Sequence, residues 1–122
     1  MISMNKNILK DKSFQFAIRI VNLYKHLTEK QKEFVLSKQI LRCGTSVGAN
    51  IREAEFGQSK LDFIHKLSIS QKEINETLYW LELLKETGFM NREEFESMNA
   101  DAIEIIKLIT SSIKTAKSNI NH

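Results

Sequence analysis

The run Leu41-Arg42-Cys43-Gly44-Thr45-Ser46-Val47-Gly48-Ala49-Asn50-Ile51-Arg52-Glu53-Ala54-Glu55 decides the fold. Ile40, Cys43, Val47, Ile51 and Ala54, with Leu36 before them, recur at the three-four spacing that puts side chains on one face of a helix. Gly44 and Gly48 interrupt that helix, and each costs about 1 kcal/mol relative to alanine in a helix interior. Small residues four apart leave a groove that admits a second backbone, so close helix packing is the compensation expected here.

Working outward, Phe63, Leu67, Ile74, Leu78 and Leu81 form a second stripe, and Phe95, Met98, Ala102, Ile105, Ile109, Ile113 and Ala116 a third. Ser59 with Asp62 predicts the start of a helix that runs to about Thr87. Gly88 suits a left-handed turn after it, and Asn91 with Glu94 caps a last helix that fades among Lys117, Ser118 and Asn119. Upstream, a helix is expected from about Lys12 to Leu27. Thr28-Glu29-Lys30-Gln31 has capping-box spacing and places the start of the glycine-bearing helix there or slightly later. The chain holds no proline, and every predicted loop is short, which makes consecutive helices antiparallel neighbours. The expectation is an all-α, up-down-up-down four-helix bundle, one domain over residues 1–122.

A chain of 122 residues with 42% hydrophobic content suits one core rather than two. No apolar run approaches the roughly 18 residues of a membrane span, and the first residues lack a secretory signal, so a cytoplasmic protein is expected. Cys43, the single cysteine, falls on the apolar stripe and reads as a small buried thiol. The net charge of +3 is uneven: residues 1–60 carry 11 Lys+Arg against 5 Asp+Glu, and residues 61–122 carry 7 against 10. Such asymmetry fits a polyanionic partner or docking of one half on the other half of a neighbour.

The first helix differs from the rest. Phe14, Phe16, Ala17, Ile18, Ile20, Val21, Leu23, Tyr24 and Leu27 spread over more than half its circumference, which points to self-association. The third helix carries a second stripe, Ile69, Glu73, Glu76, Trp80 and Leu83, opposite its core face. The glycine-bearing helix carries an outward stripe of Lys38, Arg42, Thr45, Ala49 and Arg52 without an acid. The two stripes are complementary in charge, and mating them between subunits is a heterologous contact that closes into a ring. Ser46, Asn50 and Glu53 are expected to form a buried polar cluster with Ser70 and Gln71, fixing helix register.

These features, from about Phe14 to Lys114, and above all the glycine run with Asp62-Phe63-Ile64 and Glu73-Ile74-Asn75-Glu76-Thr77-Leu78-Tyr79-Trp80-Leu81, resemble the four-helix-bundle family encoded in intervening sequences of bacterial 23S rRNA genes. That family includes the accessory protein of diversity-generating retroelements. The resemblance implies a bundle, cyclic pentamers and work beside RNA.

Bundles that bind two irons use Glu-x-x-His units on two helices. The comparable pair here, Asp62 with His65, occurs once; His26 and His122 have no carboxylate at that spacing, so no metal or cofactor is expected. A nucleic-acid surface needs only positive charge on one face, and Lys12, Arg19, Lys38, Arg42 and Arg52 are the candidates, with Lys6, Lys10 and Lys25 nearby. The function expected is a non-enzymatic, homo-oligomeric scaffold, a pentamer by the resemblance, that associates with RNA or a ribonucleoprotein. A protein–protein adaptor and a metal-carboxylate enzyme are the alternatives.

Overall fold

The computed structural model describes residues 4–120, with side-chain surroundings from Ile8 onward; Lys6 and His122 lie outside the described side chains. Four helices follow one another, α1 (Met4–Glu29), α2 (Leu36–Glu55), α3 (Lys60–Glu86) and α4 (Arg92–Ile120), with no strand among the described residues. Each helix packs on its neighbours in sequence and α4 closes on α1, while the diagonal pairs make no close backbone approach. The α2–α3 seam is the most extensive and the α1–α4 seam the least. This arrangement is compatible with a bundle. Across the α1–α2 seam Lys10 meets Glu55 and Ile20 lies against Gly44, and across the α2–α3 seam Glu53 meets Lys66 and Arg42 meets Glu76.

The core is aliphatic. Phe16, Ile20, Leu27, Ile40, Val47, Leu67, Ile74, Leu81, Leu84, Ile105 and Ile109 are essentially inaccessible. Each such side chain contributes about 1.5–3 kcal/mol on burial, so this cluster outweighs any surface ion pair. α1 starts earlier than Lys12 because Leu9 continues its inward stripe and is only 1% exposed.

The caps of α3 and α4 stand where the sequence placed them. The Ser59 hydroxyl accepts from the Asp62 amide at 3.1 Å, and Asn91 and Glu94 cap each other's amides at 2.8 and 3.2 Å. Gly88 takes φ +86°, the left-handed conformation that glycine adopts without strain. The start of α2 differs. Thr28 is still inside α1, its hydroxyl donating to the Tyr24 carbonyl at 2.9 Å, so the Thr28–Gln31 box caps nothing. The chain instead turns through Lys32 at φ +56°, and the Glu33 carboxylate accepts from the amides of Ser37, Leu36 and Val35 at 2.7, 3.0 and 3.2 Å. Burial opposes the charged form of Glu33, but these amides outweigh it and hold its carboxyl below the ordinary value.

Candidate functional site

The two flanks of α2 carry the residues nominated from the sequence. Toward α1, a Cβ on Gly44 would stand 2.7 Å from the Ile20 side chain, and one on Gly48 would stand 3.3 Å from the Ser13 carbonyl oxygen. The glycines therefore set the distance between α1 and α2. Outside this seam lies an open, largely apolar groove of about 300 Å³ lined by Phe14, Ala17, Thr45, Gly48, Ala49 and Arg52, with the Arg52 guanidinium 4.8 Å from the centre of the Phe14 ring. Phe14 and Ile18 remain 46% and 40% exposed, so the broad apolar surface of α1 is only partly covered within the chain.

Toward α3, polar groups set the register. Ser70 donates to the Val47 carbonyl at 2.8 Å, and the Thr77 hydroxyl lies 3.2 Å from Cys43 Sγ while donating to the Glu73 carbonyl. Burial pushes the Cys43 thiol up to about 11, only partly offset by the Thr77 hydroxyl, so this cysteine is an inert packing group.

The buried cluster expected of Ser46, Asn50 and Glu53 does not form. Ser46 and Asn50 bond to carbonyls one turn earlier on α2, those of Arg42 and Ser46. Glu53 is exposed and faces Lys66 at 3.6 Å, and Gln71 reaches Thr110 on α4. A short polar side chain in a helix finds its own preceding turn before it finds another helix. The buried polar positions are Ser13, Ser37, Ser70 and Thr77.

The charge complementarity between Arg42 and the α3 stripe is real, but its partners belong to the same chain. Arg42 donates to Glu76 Oε2 at 2.6 Å and stands 3.6 Å from Glu73 Oε2, and Trp80 Nε1 donates to Glu76 at 3.3 Å. Glu73 Oε2 is sealed from solvent and accepts no well-formed hydrogen bond, and the half-exposed Arg42 guanidinium is a loose neighbour to it. Trp80 packs partly against the core, and Ile69 and Leu83 of the same stripe are half-buried. The contact anticipated between subunits is thus made, for Arg42, Glu73 and Glu76, inside one subunit.

The other cations divide in the same way. Lys12 pairs with Glu104, whose hydrogen bond and charge raise the lysine's pKa, and Arg19 donates to Asp101 at 2.6 Å and to Ser97 at 3.0 Å. Lys38 and Arg52 are exposed and have no carboxylate partner among the described residues. Lys25, Lys30 and Lys32, around the α1–α2 turn, are likewise exposed and without an acid. Of the nominated basic residues, Lys12, Arg19 and Arg42 are paired with carboxylates, whereas Lys38 and Arg52, the latter over the Phe14 ring, are not paired with one among the described residues. The sequence carried no signal for this beyond the positions of the carboxylates on facing stripes.

No group of three or more His, Cys, Asp or Glu side chains among the described residues is placed to hold a metal ion, and no described helix is long and apolar enough to cross a membrane.

The described residues form a four-helix all-α chain whose α1–α2 seam is built on Gly44 and Gly48. Residues 5–111 match the family of 23S rRNA-intervening sequence proteins, and the chain belongs to that family. It is also similar to a protein of unknown function from the S23 ribosomal protein family of Bacteroides thetaiotaomicron VPI-5482, solved by crystallography. The two share 64% identity at a TM-score of 0.90, over 91% of this chain and 99% of that one. No curated protein matches the chain.

Proposed function

We propose that the protein is a non-enzymatic, homo-oligomeric scaffold, an antiparallel up-down-up-down bundle whose copies assemble into a ring, a pentamer by likeness to its relatives, and that it associates with RNA. The observation that carries the reading is the division of cations: three nominated basic residues are neutralised inside the chain, whereas Lys38, Arg52 and the lysines of the α1–α2 turn are left for an external anion. Phosphate supplies the charge this surface lacks, and the logarithm of an affinity built on such contacts falls linearly with the logarithm of salt concentration. The family's name, tied to 23S rRNA, is consistent with an RNA partner.

Self-association is supported by the α1–α2 groove at Phe14 and by the exposed Ile18 on the same helix, apolar area that a second copy would cover. The stripe of Ile69, Trp80 and Leu83 contributes partly exposed apolar edge, but its acids are engaged with Arg42. Light scattering combined with titration of labelled RNA against salt tests both halves. The expected result is a defined oligomer whose RNA affinity falls steeply with salt. A monodisperse monomer refutes the assembly. A protein that binds no RNA at low salt leaves the adaptor reading, which the exposed Phe56 and Leu61 at the α2–α3 turn favour, at 80% and 70% accessibility.

A further inference from the structure

We infer that the α1–α2 turn is a binding site for single-stranded RNA, in which Lys25, Lys30, Lys32 and Lys38 contact phosphates and the Phe34 ring stacks on an unpaired base. The inference rests on the RNA reading above and locates it. All four lysines are exposed and lack a carboxylate partner among the described residues. Between them the chain presents Phe34 at 53% and Val35 at 71% exposure. An exposed aromatic flanked by unpaired cations is costly surface for a molecule in water, and it matches the pairing of stacking platform and electrostatic rim that holds single strands.

The turn is also built to hold its shape. Gln31 Nε2 donates to the Phe89 carbonyl at 2.9 Å, tying this turn to the α3–α4 turn, and also lies 2.9 Å from His26 Nε2. The Glu33 amide returns to the Leu27 carbonyl at 2.8 Å. Glu33 itself does not cancel the lysines, because its carboxylate is turned onto three amides at the N-terminus of α2, where the helix end offsets its charge. Glu29 is the remaining acid of this segment and is exposed. A preorganised turn does not forfeit ordering entropy when a strand is bound.

At the opposite end, Lys60, Lys114 and Lys117 are likewise exposed and without a carboxylate partner among the described residues, which provides a matched control. Their exposed apolar neighbours there include no residue set between lysines as Phe34 is between Lys32 and Lys38.

The test is a titration of the full chain with a labelled oligouridine of about 20 nucleotides, long enough to span a single-strand site. The K30Q/K32Q/K38Q variant is compared with K60Q/K114Q/K117Q, and F34A with the unmodified protein. Circular dichroism and light scattering confirm that each variant keeps its helix content and size. The turn variant should lower the salt slope by about two, and the far-end variant by much less than one. F34A should weaken binding by about fivefold or more at every salt concentration, leaving the slope unchanged. Equal losses from the two lysine triples would overturn the site while leaving RNA binding standing, and so would unaltered affinity of F34A. Binding to duplex RNA as tight as to the single strand would remove the stacking role. If the unmodified chain binds no RNA, both this site and the reading beneath it fall.

Discussion

Helix α2 is held on its two flanks by opposite means. Against α1 the contact is steric: Gly44 leaves room for Ile20 and Gly48 for the Ser13 backbone. Against α3 it is polar, with Ser70 on the Val47 carbonyl, Thr77 beside Cys43, and Arg42 spanning Glu73 and Glu76. The steric seam carries one ion pair among the described residues, Lys10 with Glu55 at 3.2 Å, and leaves Lys38 and Arg52 of α2 without a carboxylate partner there. A polar seam spends its cation on neighbours in the same chain. The charge a protein can offer to an anionic partner is what remains after this internal pairing.

The largest effect should come from filling the steric seam. Gly44→Leu drives a side chain into Ile20, and overpacking of this kind is expected to cost about 3 kcal/mol, visible as a large drop in the denaturation midpoint. If this variant is as stable as the parent, the glycine does not set the α1–α2 distance.

The polar seam should respond less. Ser70→Ala removes one buried hydrogen bond to a carbonyl and should cost about 1 kcal/mol in denaturant unfolding. A loss as great as that of Gly44→Leu would erase the distinction between the two flanks.

The start of α2 gives an effect of similar size that depends on pH. Glu33→Gln weakens the acceptor for the first amides and should cost about 1 kcal/mol at neutral pH. The carboxyl of Glu33 is held below its ordinary value of 4.5, so its contribution is fully present above that pH and is lost as pH falls through the lowered value. The stability difference between parent and variant should therefore close on acidification below about 4.5; a difference that widened there would assign the cap elsewhere.

The parts of this fold legible in the sequence are those that depend on local spacing. Ser59 with Asp62 and Asn91 with Glu94 are capping pairs three residues apart, and both act as such. Thr28 and Gln31 have the same spacing, yet Thr28 lies where α1 has not ended, because a threonine hydroxyl bonds a carbonyl in its preceding turn equally well. The cap that replaces it, Glu33, reaches forward to its amides with a longer side chain, outside the residue types that usually signal a helix start. Asn50 is satisfied locally in the same way, by the Ser46 carbonyl, and Ser70, expected to join it, donates instead to the Val47 carbonyl. For Arg42, periodicity identified the complementary stripe on α3. It did not say whether that stripe belonged to the same chain, since spacing fixes a face of a helix and not the neighbour that covers it.

The smallest stability effect is expected at the ion pairs. Arg42 is 56% exposed, and replacing it with glutamine should change stability by less than about 1 kcal/mol. Its value lies in the contrast with Lys38, one turn earlier on the same helix and without an acid. The most direct test of the account is the salt dependence of RNA affinity for Lys38→Gln and Arg42→Gln, measured side by side at unchanged oligomer size. The account predicts that Lys38→Gln lowers the slope by about 0.7, one single-strand phosphate contact, and that Arg42→Gln leaves it where it was. Equal lowering by the two variants, or lowering by Arg42→Gln alone, would contradict it.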